Sequence, residues 1–139
     1  MARRVLSKYQ SGNAFFDETD IHVHVPDGST KKDGPSAGVT LVTSLLSLAL
    51  DRPVRSDLAM TGEITLTGKV TAVGGIKEKV VAARRAGIEC LVLPEMNRRD
   101  YDELEDYLKE GLEVHFAEDY GKVFEVAFSE EDFFTAEGF

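Results

Sequence analysis

Residues 34–50 read GPSAGVTLVTSLLSLAL and form the longest stretch of the chain without a charged side chain. Pro35 suits the start of a helix, because a proline in the first turn lacks only an N–H group that would have no helical partner there. Small hydroxyl residues recur at helical spacing among the apolar ones, and Pro53 ends the pattern. The sequence therefore predicts a helix that is apolar nearly all round and buried in the domain, with Ser36 in its first turn.

Outward from this helix, the sequence alternates between segments typical of strands and of helices. Strands are predicted at residues 21–25, 58–61, 68–73, 88–93 and 112–116, and further helices at 76–86, 99–109 and 120–128. Alternation of this kind favours an α/β (or α+β) fold. We expect a single compact domain in which flanking helices and the buried helix after Ser36 pack on a mixed sheet.

Composition narrows the classes of function. The 139 residues suffice for one domain, and their net charge of −9 argues against a surface that binds nucleic acid. The uncharged stretch carries hydroxyls, glycines and a proline, which favours a buried helix over a membrane span. Because Cys90 is the only cysteine, no internal disulfide can form, and a reducing intracellular compartment is indicated.

Ser36 lies where a helix N-terminus supplies unpaired N–H groups and a partial positive charge. Such donors can stabilise the oxyanion that forms when a serine attacks a carbonyl group, and Gly34 and Gly38 would leave room for a substrate backbone. The alternative is that Ser36 only caps the helix, which is the more common role of a serine in this position. A nucleophilic serine also needs a base within reach.

Histidine is the first candidate for that base. His22 and His24 share one face of the predicted strand at 21–25, where they could serve a Ser-His-Asp arrangement or form half of a zinc site. No third ligand stands at a recognisable spacing from them, and two histidines on the polar face of a strand are more often ordinary surface residues.

Lys79 is the second candidate. On a helical wheel Lys79 falls between Ala83 and Ala86 on the apolar face of the predicted helix, whereas Lys77 falls on the solvated face. Burial disfavours an ammonium ion, and a neutral lysine amine can take a proton from a serine hydroxyl. The alternative is that the Lys79 side chain runs along the apolar surface until its amine reaches water.

Three segments together resemble the proteolytic domain of Lon, the ATP-dependent protease. They read KDGPSAG at residues 32–38, AMTGEIT at 59–65 and GGIKEK at 74–79. The resemblance extends over about residues 21–128, and the 43 positions from Ser36 to Lys79 match the spacing of the family. Each motif alone is moderately specific, whereas their occurrence in this order is highly specific.

The resemblance implies a Ser-Lys dyad in which Ser36 is the nucleophile and Lys79 the general base. It assigns to Thr61 a hydrogen bond that orients the lysine amine. Asp33 corresponds to a family acid beside the nucleophile, which can pair with the lysine in closed, inactive states.

His22 and His24 correspond to family histidines near the site, in a supporting role. The implied reaction is that of a serine endopeptidase, which proceeds through an acyl-enzyme and requires no metal or organic cofactor in this domain.

The resemblance also implies what surrounds such a domain. We expect residues 1–139 to form a Lon-type proteolytic domain shortened at its N-terminus, without the ATPase and N-terminal domains. The chain has no GxxxxGK[ST] motif, so ATP and Mg²⁺ would bind to the ATPase domain. The full-length enzyme would be a homo-hexamer that degrades misfolded, damaged or regulatory proteins, with no nucleic-acid site in this part and no membrane association. Similarity around residues 111–116 favours the mitochondrial matrix, with the bacterial cytoplasm as the alternative.

Two further alternatives follow from the residues alone. A non-catalytic α/β scaffold or regulatory module would use Ser36 as a cap and Lys79 as a surface residue. A cysteine hydrolase would use Cys90, although this residue lies in a segment that is predicted to be a buried strand, where thiols are usually inert.

Overall fold

The computed structural model describes residues 1–26 and 34–128. Its elements along the chain are α1 (Ala2–Tyr9), α2 (Phe15–Glu18), α3 (Gly38–Leu50), β1 (Leu58–Met60), β2 (Glu63–Ile64), β3 (Val70–Thr71), α4 (Ile76–Arg85), β4 (Cys90–Pro94), a 3₁₀ turn (Glu95–Asn97), α5 (Arg98–Asp102), α6 (Asp106–Lys109), β5 (Glu113–Ala117) and α7 (Tyr120–Ala127). The predicted α/β domain is confirmed.

A parallel sheet of three strands lies at the centre, in the order β1-β4-β5. Leu58 pairs with Cys90, and Cys90 pairs in turn with Glu113, so the three strands start at the same edge. Strands β2 and β3 form a separate antiparallel pair. The expected single mixed sheet is therefore wrong for the described residues, because the antiparallel pair does not hydrogen-bond to the parallel sheet.

Strand β4 separates two apolar clusters, because successive side chains of a strand point to opposite faces of the sheet. Val92 packs with α1, α3 and α7 in the first cluster. Leu91 and Leu93 pack with α4, α5 and α6 in the second cluster. Burial of β4 on both faces explains why its sequence is apolar without alternation.

Helix α3 follows its prediction in length but not in burial. It begins at Gly38, so Ser36 lies in the turn before the helix and not in its first turn. One face is buried against the first cluster, whereas Leu41 and Leu48 on the other face are 43% and 58% exposed. The apolar sequence predicted burial all round, and it fails because α1, α7 and the sheet cover only one side of the helix.

The strand that alternation predicted at residues 21–25 is absent. This segment has no regular structure, and Val23 and Val25 are each more than half exposed. Alternation shows which side chains would share a face, but a strand forms only where a neighbouring strand accepts and donates its backbone hydrogen bonds. Among the described residues, no strand pairs with this segment.

The acidic helix predicted at residues 99–109 is divided. The chain turns between α5 and α6, and the backbone N–H groups of Glu103 and Leu104 donate to the carbonyl oxygens of Arg99 and Tyr101. Tyr101 and Leu108 can thereby both reach the second cluster. Four other predictions agree with the structure within a few residues. The helices predicted at 76–86 and 120–128 correspond to α4 and α7. The strands predicted at 88–93 and 112–116 correspond to β4 and β5.

Candidate active site

A cavity of about 420 Å³ lies between β1, β4, α4 and the turn before α3. Ser36, Thr61 and Lys79 all line this cavity. Apart from Thr40, its remaining wall is apolar and comes mostly from β1, α4, β4 and the segment between α4 and β4. It includes Ala59, Val80, Ala83, Ile88, Leu91 and Leu93. The fold thus brings together polar residues that are up to 43 positions apart in the sequence, in largely apolar surroundings.

Ser36 is held through its backbone. Its carbonyl oxygen accepts two hydrogen bonds, from the N–H of Gly62 at 2.9 Å and from the hydroxyl of Thr61 at 3.1 Å. A neighbouring hydrogen bond joins the N–H of Val39 to the carbonyl oxygen of Gly62, at 3.2 Å. The turn that carries the serine is therefore fixed to the segment that follows β1.

Two glycines allow this close approach. A Cβ atom on Gly38 would lie 3.0 Å from the Ile64 side chain, and one on Gly62 would lie 2.7 Å from Val70 and 3.2 Å from Val39. The sequence predicted that Gly38 makes room for a substrate. This prediction is wrong for the side on which a Cβ atom would lie, because that side packs against Ile64. Both glycines set how near α3 can come to the end of β1.

Lys79 is half-buried, and its ammonium group donates a hydrogen bond to the carbonyl oxygen of Gly74 at 2.7 Å. Helix α4 begins after Gly75, whose φ of 71° lies in the left-handed region that favours glycine. Lys77 is exposed and pairs with Glu105 at 2.8 Å, and this hydrogen bond raises the pKa of Lys77. The predicted difference between the two lysines is confirmed: Lys79 faces the cavity, and Lys77 faces solvent.

Asn97 holds the loop that precedes α4, and no motif in the sequence pointed to this role. The side chain is 2% exposed; its oxygen accepts from the N–H of Val73 at 3.0 Å, and its amide group donates to the carbonyl oxygen of Val73 at 2.9 Å. The amide group also donates to Asp100 at 2.7 Å. Because Val73 is next to Gly74, Asn97 fixes the backbone to which Lys79 is bonded.

The hydroxyl of Thr61 donates to Ser36, whereas the family resemblance assigns it a bond with the lysine amine. A threonine hydroxyl has one donor and two acceptor positions, so both bonds can exist together. Thr61 is buried and lines the same cavity as Lys79. Its predicted role in orienting the amine stays a prediction.

The two predicted site histidines do not line the cavity. His22 and His24 are exposed on the irregular segment, with their ring centroids 6.3 Å apart, and neither lines the cavity. Their supporting role stays a prediction. Asp33 lies outside the described residues.

Cys90 is fully buried in β4, and burial raises the pKa of its thiol. A buried, protonated thiol is a poor nucleophile. Cys90 does not line the cavity that holds Ser36 and Lys79. The structure thus favours serine over cysteine as the candidate nucleophile.

A serine and a lysine on one cavity are typical of hydrolases in which a lysine amine takes the place of the histidine of a catalytic triad. Residues 1–130 match the model of the Lon protease (S16) C-terminal proteolytic domain. The chain belongs to this family.

Similar proteins come from mitochondria and from bacteria. The chain is 67% identical over 132 residues to a mitochondrial Lon protease homolog of Phaeodactylum tricornutum, covering 95% of this chain and 15% of that protein. It is 60% identical over 130 residues to the mitochondrial homolog of Bos taurus, covering 94% and 14%. The Lon protease of Chlamydia trachomatis is 58% identical over 123 residues, covering 88% and 15%.

The chain therefore spans about one seventh of the length of these relatives. Within residues 1–26 and 34–128, no helix has the length and apolar character that crossing a membrane requires.

Proposed function

We propose that the chain is the peptide-cleaving domain of a Lon-type serine endopeptidase, in which Ser36 is the nucleophile and Lys79 the general base. The observation that carries this proposal is the shared cavity, which Ser36 and Lys79 line together with Thr61. Family membership supports the same reaction class.

In the first step, the neutral amine of Lys79 accepts the proton of the Ser36 hydroxyl while the serine oxygen bonds to the carbonyl carbon of a peptide. The amine must first leave the Gly74 carbonyl oxygen, to which it is bonded at 2.7 Å. We propose that the amine reaches Ser36 by rotation about the side-chain torsions of the lysine. The bond to Gly74 therefore represents a resting arrangement, and substrate binding would compete with it.

The tetrahedral intermediate carries an oxyanion that needs N–H donors. The N–H groups of Gly38 and Val39 already donate to the carbonyl oxygens of Pro35 and Gly62. Among the described residues of the turn before α3, we therefore propose the N–H groups of Ser36 and Ala37 as donors to the oxyanion.

Collapse of the intermediate breaks the peptide C–N bond, and Lys79 returns its proton to the leaving amine. Water then attacks the acyl-enzyme, again giving a proton to Lys79, which passes it back to Ser36 as the acid product leaves. The amine would carry out these transfers beside the apolar wall from α4 and β4.

Labelling with a small peptidyl fluorophosphonate, followed by intact-mass measurement, tests the proposal. We expect one adduct, located on Ser36, in the wild-type protein. The adduct should be absent in Ser36→Ala and strongly reduced in Lys79→Ala.

The matched control is Lys77→Ala, which removes a lysine two positions away that faces solvent and should label like the wild type. Equal labelling of Lys79→Ala and the wild type would reject Lys79 as the base. No adduct in folded wild-type protein would favour the scaffold alternative.

For the whole protein, we propose an ATP-dependent protease that degrades unfolded, damaged or regulatory proteins as a homo-hexamer. ATP and Mg²⁺ would be bound by an ATPase domain, since this chain has no GxxxxGK[ST] motif. The names of the most similar relatives support a mitochondrial location, with a bacterial cytoplasm as the alternative. Peptidase assays of the full-length protein with and without ATP would test the dependence on nucleotide.

A further inference from the structure

Three side chains able to ligate a metal converge away from the cavity, at the start of β4 and β5. They are Cys90, Glu113 and His115, and one ligand atom from each lies within 4.8 Å of the other two. Cys90 and Glu113 are register partners on neighbouring strands, and His115 follows Glu113 by two positions on the same face. This placement is independent of Ser36 and Lys79.

The cluster has a buried end and an open end, and this arrangement favours a bound ion. Its thiol end is fully buried at 0% exposure, and its outer end is open, because the side chains of His115 and Glu113 are 27% and 58% exposed. His115 Nε2 and Glu113 Oε1 already contact each other at 2.7 Å. An ion can thus enter from solvent between histidine and carboxylate and reach the sulfur behind them.

Neighbouring charges also suit a cation. The charged groups that act on the Cys90 thiol are Arg55, Glu113 and Asp57. The guanidinium of Arg55 is bound by both oxygens of Asp57, at 2.7 and 2.6 Å, so its charge is largely neutralised. The carboxylate of Glu113 then remains as the group that attracts a positive ion to the thiol.

We propose that Cys90, Glu113 and His115 bind one borderline or soft divalent metal ion of the Zn²⁺ class. Sulfur, imidazole nitrogen and carboxylate oxygen are the donors that zinc prefers, at roughly 2.0–2.3 Å, and ligand atoms around it are then closer together than 4.8 Å. Small rotations of the exposed Glu113 and His115 side chains close this gap, while Cys90 stays fixed in β4. Water supplies the fourth ligand.

Binding breaks the S–H bond of Cys90, releases its proton to solvent and forms a sulfur–metal bond. The hydrogen bond between His115 and Glu113 is replaced by one metal bond from each. The ion would link β4 to β5 at the edge where these strands begin. Thr61, by contrast, follows the C-terminal end of β1, so the ion would not block the cavity.

Titration with Co²⁺ tests the site, because tetrahedral Co²⁺ bound to a thiolate gives a charge-transfer absorption band. Cys90 is the only cysteine of the chain, so a thiolate band can arise from this residue alone. We expect a band that saturates at one Co²⁺ per chain and disappears when Zn²⁺ is added. The expected band is absent in Cys90→Ser.

Because Cys90 is buried, Cys90→Ser is accompanied by two variants of the more exposed ligands. Glu113→Gln and His115→Gln should each raise the dissociation constant for Co²⁺ by about tenfold or more. The matched control is His22→Gln, which alters the exposed pair of His22 and His24 and should bind Co²⁺ like the wild type. Saturating Zn²⁺ should also raise the melting temperature of the wild type but not of His115→Gln.

The absence of a thiolate band in folded wild-type protein would overturn the proposal. A band whose affinity is unchanged in both Glu113→Gln and His115→Gln would also overturn it. Binding that is lost in His22→Gln and kept in His115→Gln would place the metal at the pair formed by His22 and His24. None of these outcomes depends on peptidase activity.

Discussion

Ser36 and Lys79 face the same cavity, but the chain holds them by different means. The serine lies in a turn that is fixed by backbone hydrogen bonds to Gly62 and by glycine contacts, on the side of the first apolar cluster. The lysine lies on α4, on the side of the second cluster, and its amine donates a hydrogen bond to Gly74. The loop that carries Gly74 is held by the side chain of Asn97.

The difference indicates which partner moves during the proposed reaction. Backbone bonds and close glycine contacts leave the serine little freedom, whereas a lysine amine can exchange one acceptor for another by rotating its side chain. We expect changes in the glycine contacts that hold the serine turn to act mainly on stability. Changes on the lysine side should also lower turnover.

The strongest test of the comparison is Lys79→Met, which keeps much of the apolar stem and removes the amine. Loss of a general base lowers turnover by about a hundredfold or more, so we expect peptide cleavage to fall at least that far while the protein stays folded. Lys77→Met is the control and should retain cleavage, because Lys77 faces solvent. Cleavage by Lys79→Met at the wild-type rate would remove Lys79 from the mechanism.

Asn97→Leu tests whether the side chain of Asn97 holds the loop to which Lys79 is hydrogen-bonded. The change leaves the N–H and carbonyl groups of Val73 without their side-chain partner, which should lower the free energy of unfolding by about 2 kcal/mol. Because Gly74 and Lys79 depend on this loop, kcat should fall more than KM rises. Asp100→Asn keeps both Val73 bonds and serves as the control. If folded Asn97→Leu keeps the wild-type kcat, the loop does not position the lysine.

On the serine side, Gly62→Ala introduces a Cβ atom at 2.7 Å from Val70 and 3.2 Å from Val39. Both valines are buried, so the overpacked site should lose about 2 kcal/mol in the free energy of unfolding. Gly12→Ala is the control, because no atom lies within 4 Å of the added Cβ. Denaturant unfolding measures both variants, and equal stability of the two would show that the close contact is not needed.

Thr61→Val removes the hydroxyl that donates to Ser36 and that is predicted to orient the amine. We expect cleavage to fall by about tenfold, because one neutral hydrogen bond is worth roughly 1 kcal/mol or somewhat more. Thr61→Ser retains the hydroxyl and should recover most of the activity. A Thr61→Ser variant as impaired as Thr61→Val would assign the effect to packing of the methyl group.

The smallest expected effect is that of Tyr120→Phe. The hydroxyls of Tyr120 and Thr43 form a buried hydrogen bond at 2.8 Å between α7 and α3, and its loss should cost about 1 kcal/mol of stability. Burial raises the pKa of Tyr120 above its ordinary value of 10.0, so at alkaline pH the unfolded chain loses this proton before the folded protein does.

Stability should therefore fall as the pH rises through 10.0, and this fall should be smaller in Tyr120→Phe. Denaturant midpoints measured at neutral and alkaline pH provide the comparison. An identical pH dependence in the two proteins would contradict the assignment to Tyr120.

The sequence was informative where local patterns determine structure. The helical wheel separated Lys79 from Lys77, and Gly75 and Gly87, both at positive φ, flank that helix in the structure. Ser36 and Lys79 were found through motifs, but their common cavity depends on how α3 and α4 pack on opposite clusters. Helical periodicity in one segment contains no information on such packing.

Other features required contacts between distant segments. The strand predicted at 21–25 failed because alternation does not supply a pairing partner. Asn97 precedes a predicted helix in the sequence, and only the fold brings it to Val73. Cys90 and Glu113 stand 23 positions apart, and the parallel pairing of β4 with β5 makes them neighbours.

The division of the core by β4 has a consequence for how the protein would lose activity. Parts of a protein that unfold separately do so at different free energies. Helix α4 belongs to a smaller apolar cluster than α3. A partial opening that frees α4 would carry the base away from the nucleophile while the larger cluster stays folded. Inactivation by heat and global unfolding would then be two events, and the first would be reversible on cooling.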